Sequence, residues 1–179
     1  MGHSRQRRIE EIIVHEAALF AALFVGALVQ TALLPRPFDV PINLMLLLAV
    51  CHGLIAGTTS AARWAFYGGL ALDLCAMTFI GMHALALLTG VIVSTALVSR
   101  LSRENWLVPM LGVAIGTILY HAVYALFLTL IVAPVDLQGY ALAALVPDTL
   151  IAMIPALPLY LVFRWNEDRV RRRVPVDVY

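Results

Sequence analysis

Two apolar runs joined by a short turn, GGLALDLCAMTFIGMHALALLTG at residues 68–90, decide how this sequence is interpreted. Asp73 is the only Asp, Glu, Lys or Arg in the stretch, and Gly81 lies between the two runs. A helix of about 20 apolar residues is long enough to cross the ~30 Å hydrocarbon core of a bilayer. The stretch therefore predicts two successive membrane-spanning helices with a tight turn between them.

The rest of the chain continues this pattern. Of its 179 residues, 62% are hydrophobic and 13% are charged, and the mean hydropathy is +0.91, which leaves too little polar surface for a water-soluble globule. We predict an all-α integral membrane protein. Its six spans are residues 13–34, 42–58, 62–79, 82–98, 106–132 and 140–163, with the last interrupted by Pro147, Pro155 and Pro158. The first run is too long for a secretory signal and has no cleavage site.

The arginines predict the orientation of these spans. All 12 basic residues are arginine, and with six spans eleven of them fall on one side of the membrane while Arg36 falls on the other. Basic residues of short loops stay on the cytoplasmic side. We therefore expect residues 1–12, residues 164–179 and both termini to be cytoplasmic. The basic tail adjoins a span, which favours anionic lipid headgroups over nucleic acid as its partner.

Asp73 requires an explanation because an aspartate at the centre of a spanning helix costs about 2.5–3.5 kcal/mol on insertion scales. It either relays protons or ions, or forms a hydrogen-bonded tie between helices. We favour the tie, since no second acidic residue lies at a comparable depth in another predicted span. As such a tie, Asp73→Asn should be tolerated and Asp73→Leu should not. Asp148, beside Pro147, is the acidic residue that comes nearest to such a depth, and we expect it at a kink packed inside the bundle.

Other polar residues of the predicted spans are interpreted as interhelical contacts. The histidines have no i, i+4 pairing typical of a helical metal site, so we predict hydrogen bonds and no metal. Gln30 and Asn43 are expected to make polar contacts at the outer helix ends. Two isolated cysteines are expected to be buried free thiols. These histidines and cysteines are His15, His52, His83 and His121, and Cys51 and Cys75.

Small residues recur at a spacing of four, which permits close approach of helices in lipid. The pairs are Gly53 with Gly57, Ala65 with Gly69, Ala86 with Gly90, and Gly112 with Gly116. In the fifth predicted span, Gly112 and Gly116 share a face with Tyr120 and Tyr124. This face can serve internal packing, which we favour, or a partner helix.

Motifs of catalysis are missing from the sequence. It contains no Gly-x-Ser-x-Gly elbow, Gly-rich phosphate loop, His-Glu-x-x-His helix or haem attachment motif. We therefore predict a non-enzymatic protein without a cofactor.

Three motifs resemble those of the rod-shape-determining MreD family. A Gly-x-x-x-Asp element of the third span is present as Gly69 to Asp73, and a Gly-x-x-Ala-Leu sequence that opens the fourth is present as Gly81 to Leu85. An Arg-x-Asn loop before the fifth span is present as Arg103 to Asn105. The likeness covers about residues 41–124. The sequence departs from the pattern at Asn43, where an aspartate often follows proline, and at Asp148, near a usual asparagine.

The resemblance implies a non-catalytic scaffold of the bacterial cell-elongation complex in the cytoplasmic membrane. It implies binding to the single-span protein MreC and support of peptidoglycan synthesis with RodA and a class B penicillin-binding transpeptidase. Gly69, Asp73, Gly81, His83, Gly112, Gly116, Asp148 and Arg103 are the candidate structural or interaction residues.

The same resemblance raises an alternative, because the family's fold is similar to the substrate-binding S-component of energy-coupling-factor vitamin transporters. A ligand-binding subunit needs polar groups that converge at the outer helix ends. Gln30, Asn43, Asp136 and Gln138 are available there, but their segments are short and contain no obvious concentration of donors, aromatics and charges, so we favour the scaffold. A proton-coupled carrier would need several acidic or histidine residues along one path, and Asp73 alone does not make one.

Overall fold

A computed structural model describes residues 3–33, 42–101, 106–131 and 136–173, and every regular element within them is helical. The prediction of an all-α fold is confirmed for these residues. The α-helices are α1 (His3–Leu28), α2 (Leu44–Ala56), α3 (Thr58–Ala76), α4 (Met82–Val98), α5 (Leu107–Ile131), α6 (Leu137–Tyr140) and α7 (Val146–Arg173). A π-helical turn extends α1 over Val29–Leu33, and another joins α6 to α7 over Ala141–Leu145, so that six helical rods result.

Two of the predicted segments need correction. Helix α3 ends at Ala76, so Asp73 lies in its last turn and the prediction that it lies in mid-helix is wrong. Helix α7 continues through Pro155 and Pro158, so the predicted interruption at these two prolines is also wrong. Each proline removes one backbone hydrogen bond without breaking the rod. The irregular part of this rod is the π-helical turn immediately before Val146 and Pro147.

Among the residues that the structure describes, three helical segments are long and apolar enough to cross a membrane: Glu10–Leu33, Leu107–Ile131 and Leu137–Arg169. Two shorter apolar helices, α2 and α4, accompany them. Length and composition therefore support a membrane protein.

Helix α2 lies at the centre of the bundle. It packs against α3, α4, α5 and α7, whereas α1 packs mainly against α3 at the periphery. Eight of its 13 residues are buried, and its 13 residues span only about 20 Å at ~1.5 Å per residue. A single residue, Gly57, connects α2 to α3 at a φ of +94°, in the left-handed region that favours glycine.

Successive rods run in opposite directions, so the helix ends gather at two ends of the bundle. The C-terminal ends of α1, α3 and α5 and the N-terminal ends of α2, α4 and α6 lie at what we call the distal end, formed by residues 28–33, 42–46, 72–84, 120–131 and 136–148. The opposite end contains the C-terminal ends of α2, α4 and α7 and the N-terminal ends of α1, α3 and α5. We call it the arginine end, because Arg63, Arg100, Arg164 and Arg169 lie there.

Candidate functional site

The buried carboxylate of Asp73 caps the N-terminus of α4. Its Oδ1 accepts hydrogen bonds from the Thr78 hydroxyl (3.1 Å) and the His83 amide (2.9 Å). Its Oδ2 accepts from the amides of Gly81 (2.8 Å) and Ala84 (3.4 Å). The first amides of a helix have no partner within the helix and favour negative charge beside them. Asp73, only 1% exposed, thus ties α3 to α4, as the sequence predicted, but it does so at a helix end.

Glycines close the same hairpin. Gly81 is the N-cap of α4, has a φ of +103° and has no capping side chain of its own. A Cβ added to Gly69 would lie 2.7 Å from the backbone nitrogen of Ala84, so α3 and α4 approach backbone to backbone. Gly69, Asp73, Gly81 and His83, which the sequence analysis singled out, therefore belong to one α3–α4 hairpin.

Two glycines of helix α5 allow it to pack closely against α2 and α4. Gly112 faces Val50 and Leu54 of α2, and Gly116 faces Val50 of α2 and Ser94 of α4. The favoured interpretation of this glycine face as internal packing is confirmed. Tyr120 and Tyr124 continue the face to the distal end.

A cavity of about 280 Å³ opens among the rods at the distal end. Polar and aromatic side chains from six different segments line it: Gln30, Thr31, Asn43, His83, Tyr120, His121, Tyr124, Tyr140 and Asp148, together with Leu72, Ala76 and Ala144. The sequence-based expectation of few polar groups at this end considered only the outer helix ends. It missed the inward-facing side chains of α4, α5 and α7, which converge with Gln30 and Asn43 in this cavity.

The deepest part of the cavity wall is a hydrogen-bonded row. His121 of α5 bonds through Nδ1 to the Tyr140 hydroxyl at 2.8 Å and through Nε2 to Oδ2 of Asp148 at 2.8 Å. Asp148 is 2% exposed, and its Oδ1 is buried without a hydrogen-bond partner among the described residues. Both bonds are satisfied by a neutral imidazole protonated on Nε2, which accepts from Tyr140 and donates to Asp148.

Another part of the cavity wall is aromatic. His83 of α4 bonds through Nδ1 to the Tyr120 hydroxyl at 2.7 Å, and its ring stacks on Tyr124 with 4.9 Å between centroids. Tyr120 and Tyr124 are themselves nearly parallel, at 5.9 Å and 12°. The prediction of interhelical hydrogen bonds is confirmed for His83 and His121.

Gln30 and Asn43 hold the rim of the cavity. The Gln30 Oε1 accepts from the Met45 amide at 3.0 Å and thereby joins the end of α1 to α2. The Asn43 side chain accepts from the Leu46 amide at 3.1 Å and caps α2. Their predicted polar contacts are confirmed.

The remaining candidates lie away from this region. His52 bonds to Ser60 Oγ at 2.9 Å and stacks on Trp64 at the arginine end. His15 lies on α1 among Glu10, Glu11 and Val14. Cys51 is buried and Cys75 half-buried, and both are free thiols. Arg103 lies outside the described residues. Within the described ranges, no three histidine, cysteine, aspartate or glutamate side chains come together in a way that holds a metal ion.

The cavity has the chemistry of a binding site. It offers an unpaired buried carboxylate oxygen, phenol oxygens and aromatic surface, and none of its lining side chains is a serine or cysteine nucleophile. No protein-family model, curated protein or solved structure matches this chain. The site is therefore interpreted from its own geometry.

Proposed function

We propose that this protein is a non-catalytic membrane scaffold of the bacterial cell-elongation complex that binds the single-span protein MreC and supports peptidoglycan synthesis. The observation that carries the proposal is the α3–α4 hairpin. The residues that resemble the MreD family motifs are the ones that build it: Gly69 makes the close helix contact, Asp73 caps α4 and Gly81 forms the turn. A motif that fixes the shape of a hairpin suits a protein that presents a rigid surface to partners.

The scaffold crosses the cytoplasmic membrane six times, with both termini in the cytoplasm. The grouping of Arg63, Arg100, Arg164 and Arg169 at the arginine end supports this orientation. The short length of α2 is compatible with it, because α3, α4, α5 and α7 surround α2 and eight of its 13 residues are buried against protein.

Cysteine labelling tests the topology. Leu137, 64% exposed, begins α6 at the distal end, and the exposed Asn166 lies on α7 at the arginine end. In spheroplasts, we expect a membrane-impermeant maleimide to label Leu137→Cys at once and Asn166→Cys only after the membrane is opened. The parent protein, in which Cys51 is buried and Cys75 half-buried, is the control and gives the background labelling of these two thiols. Labelling of Asn166→Cys from outside would refute the orientation.

Copurification tests the partner. From native membranes of the source bacterium, a tagged full-length chain is expected to recover MreC, with RodA and a class B penicillin-binding transpeptidase at lower yield. An unrelated six-span protein carrying the same tag controls for carry-over in detergent. Recovery of none of these three proteins above that control would contradict the scaffold.

The cavity favours a second candidate function, the substrate-binding subunit of a small-molecule transporter with a fold similar to energy-coupling-factor S-components. Polar groups that converge in a cavity of about 280 Å³ are typical of a small-ligand site. Copurification separates the two candidates, because such a subunit would bring an ATPase in place of cell-wall synthases.

A further inference from the structure

We propose that the distal cavity binds a primary ammonium group, carried by a small free amine or by the headgroup of an aminophospholipid, with Asp148 as its principal acceptor. The inference goes beyond the scaffold proposal and does not depend on it, because it rests on the cavity and not on the α3–α4 hairpin.

Asp148 supplies the first argument. Its carboxylate is almost fully buried, one oxygen is held by His121, and the other has no hydrogen-bond partner among the residues described. A buried acceptor left unpaired is costly, and an ionised one more so. Since Asp148 lines the cavity, a ligand that brings an N–H donor there removes this cost.

The sign of the charge supplies the second argument. Asp148 is the only acidic residue among the lining side chains, and no arginine is among them. The arginines whose side chains the structure describes lie at the arginine end, which is separated from the cavity by the length of the bundle. Within the described residues, the cavity therefore favours a cation over a phosphate or carboxylate.

The number and kind of partners match an ammonium group, which has three N–H donors and no acceptor. Besides Asp148 Oδ1, the hydroxyl oxygens of Tyr140 and Tyr120 keep acceptor capacity while bonded to His121 and His83. Tyr124 adds an aromatic wall, and aromatic rings attract cations within about 6 Å. An organic cation suits this set better than a metal ion, since the described residues contain no cluster of metal ligands.

The volume limits the ligand. At ~30 Å³ per water molecule, about 280 Å³ holds roughly nine waters, which is enough for an ethanolamine-sized group and too little for a bulky ligand. The cavity also lies at a helix-connection end of the bundle, at the depth where lipid headgroups meet a protein that spans the membrane. Both a soluble amine and a headgroup can therefore reach it.

The test is a titration of the purified full-length protein in detergent with ethanolamine, followed by tyrosine and tryptophan fluorescence and by the shift in Tm. Ethylene glycol, which replaces the ammonium with a hydroxyl, is the neutral comparison. We expect ethanolamine to raise the Tm in a saturable way and ethylene glycol to have no effect. Equal responses to the two compounds would rule out a free amine as the ligand.

Variants assign the response to the cavity. Asp148→Asn should weaken ethanolamine binding at least about tenfold, whereas Asp136→Asn, an exposed aspartate at the same end that does not line the cavity, should leave it unchanged. Unchanged affinity in Asp148→Asn would overturn the proposal. If Asp148→Asn fails to fold, Tyr124→Leu replaces it; weakened binding then supports the site and unchanged binding refutes it.

A lipid arm distinguishes the two sources of the ammonium group. The protein is reconstituted in nanodiscs of equal phosphatidylethanolamine and phosphatidylglycerol, and retained lipid is identified by native mass spectrometry. Retention of phosphatidylethanolamine by the parent and its loss in Asp148→Asn assign the site to a headgroup. Binding of ethanolamine without such retention assigns it to a free amine, and failure of both arms overturns the proposal while leaving the scaffold proposal intact.

Discussion

Asp73→Leu is expected to remove most of the folded protein from the membrane. The substitution leaves the amides of Gly81, His83 and Ala84 without an acceptor at the buried start of α4. Each buried donor that loses its partner costs about 1–3 kcal/mol, so the sum is at least ~3 kcal/mol against a typical total stability of about 5–15 kcal/mol. The measurements are abundance in membranes and the Tm of the purified protein in detergent.

For Asp73→Asn, the structure predicts a different outcome from the sequence-based expectation. A neutral tie would tolerate the amide, but the structure gives both carboxylate oxygens only donors as partners. The NH₂ group of an asparagine would face two of these donors and could accept from neither. We therefore expect a loss of stability between those of the parent and Asp73→Leu.

Asp136 provides the matched control for this series. Its side chain also accepts from a backbone amide at a helix start, that of Gln138 at 3.1 Å, but it is exposed and water can replace the bond. Asp136→Asn should change the Tm by little. A parent-like Tm in Asp73→Asn would show that the cap tolerates an amide and would remove the structural reason for a carboxylate at this position.

Much of the fold follows from apolar run length. The predicted bounds of α4 coincide with those of the structure, and α5 differs by one residue at each end. Apolar run length fails where polar residues are helical. The Thr-Thr-Ser stretch forms the first turn of α3, so this helix begins at Thr58 and not after the stretch. Run length also fails at the other end of α3, because residues 77–79 of the apolar run lie outside the helix and leave Asp73 in its last turn.

The cavity was less predictable because its residues come from different rods. The glycine face of α5 indicated that Tyr120 and Tyr124 turn inward, but it carried no information on which side chains of the other rods meet them in the cavity. One signal was present in the sequence: His83, His121 and Asp148 all fall in the halves of their predicted spans nearest the outer connections. From this signal one could infer that these three residues lie at similar depths in the bundle, but not that they converge on one cavity.

Gly69→Ala is expected to destabilise the bundle even though alanine is the better helix former. Its Cβ would meet the backbone of α4, 2.7 Å from the Ala84 nitrogen and 2.9 Å from the His83 carbonyl oxygen. Backbone cannot rotate away, so α3 and α4 must separate, and overpacking of this kind typically costs about 1–3 kcal/mol. The separation also pulls the His83 and Ala84 amides from Asp73, so the cost adds to the loss of the cap.

Gly112→Ala is the matched control, because it introduces the same methyl group at another buried helical glycine. There the nearest atoms are side-chain carbons of Val50 at 3.3 Å and Leu54 at 3.5 Å, which can shift by a few tenths of an ångström. The gain of about 1 kcal/mol in helix propensity then offsets the strain, and its Tm should stay near that of the parent while that of Gly69→Ala falls by several degrees. Since the two variants differ only in whether backbone or side chain meets the new methyl group, equal Tm values would mean that α3 and α4 are not in backbone contact at Gly69.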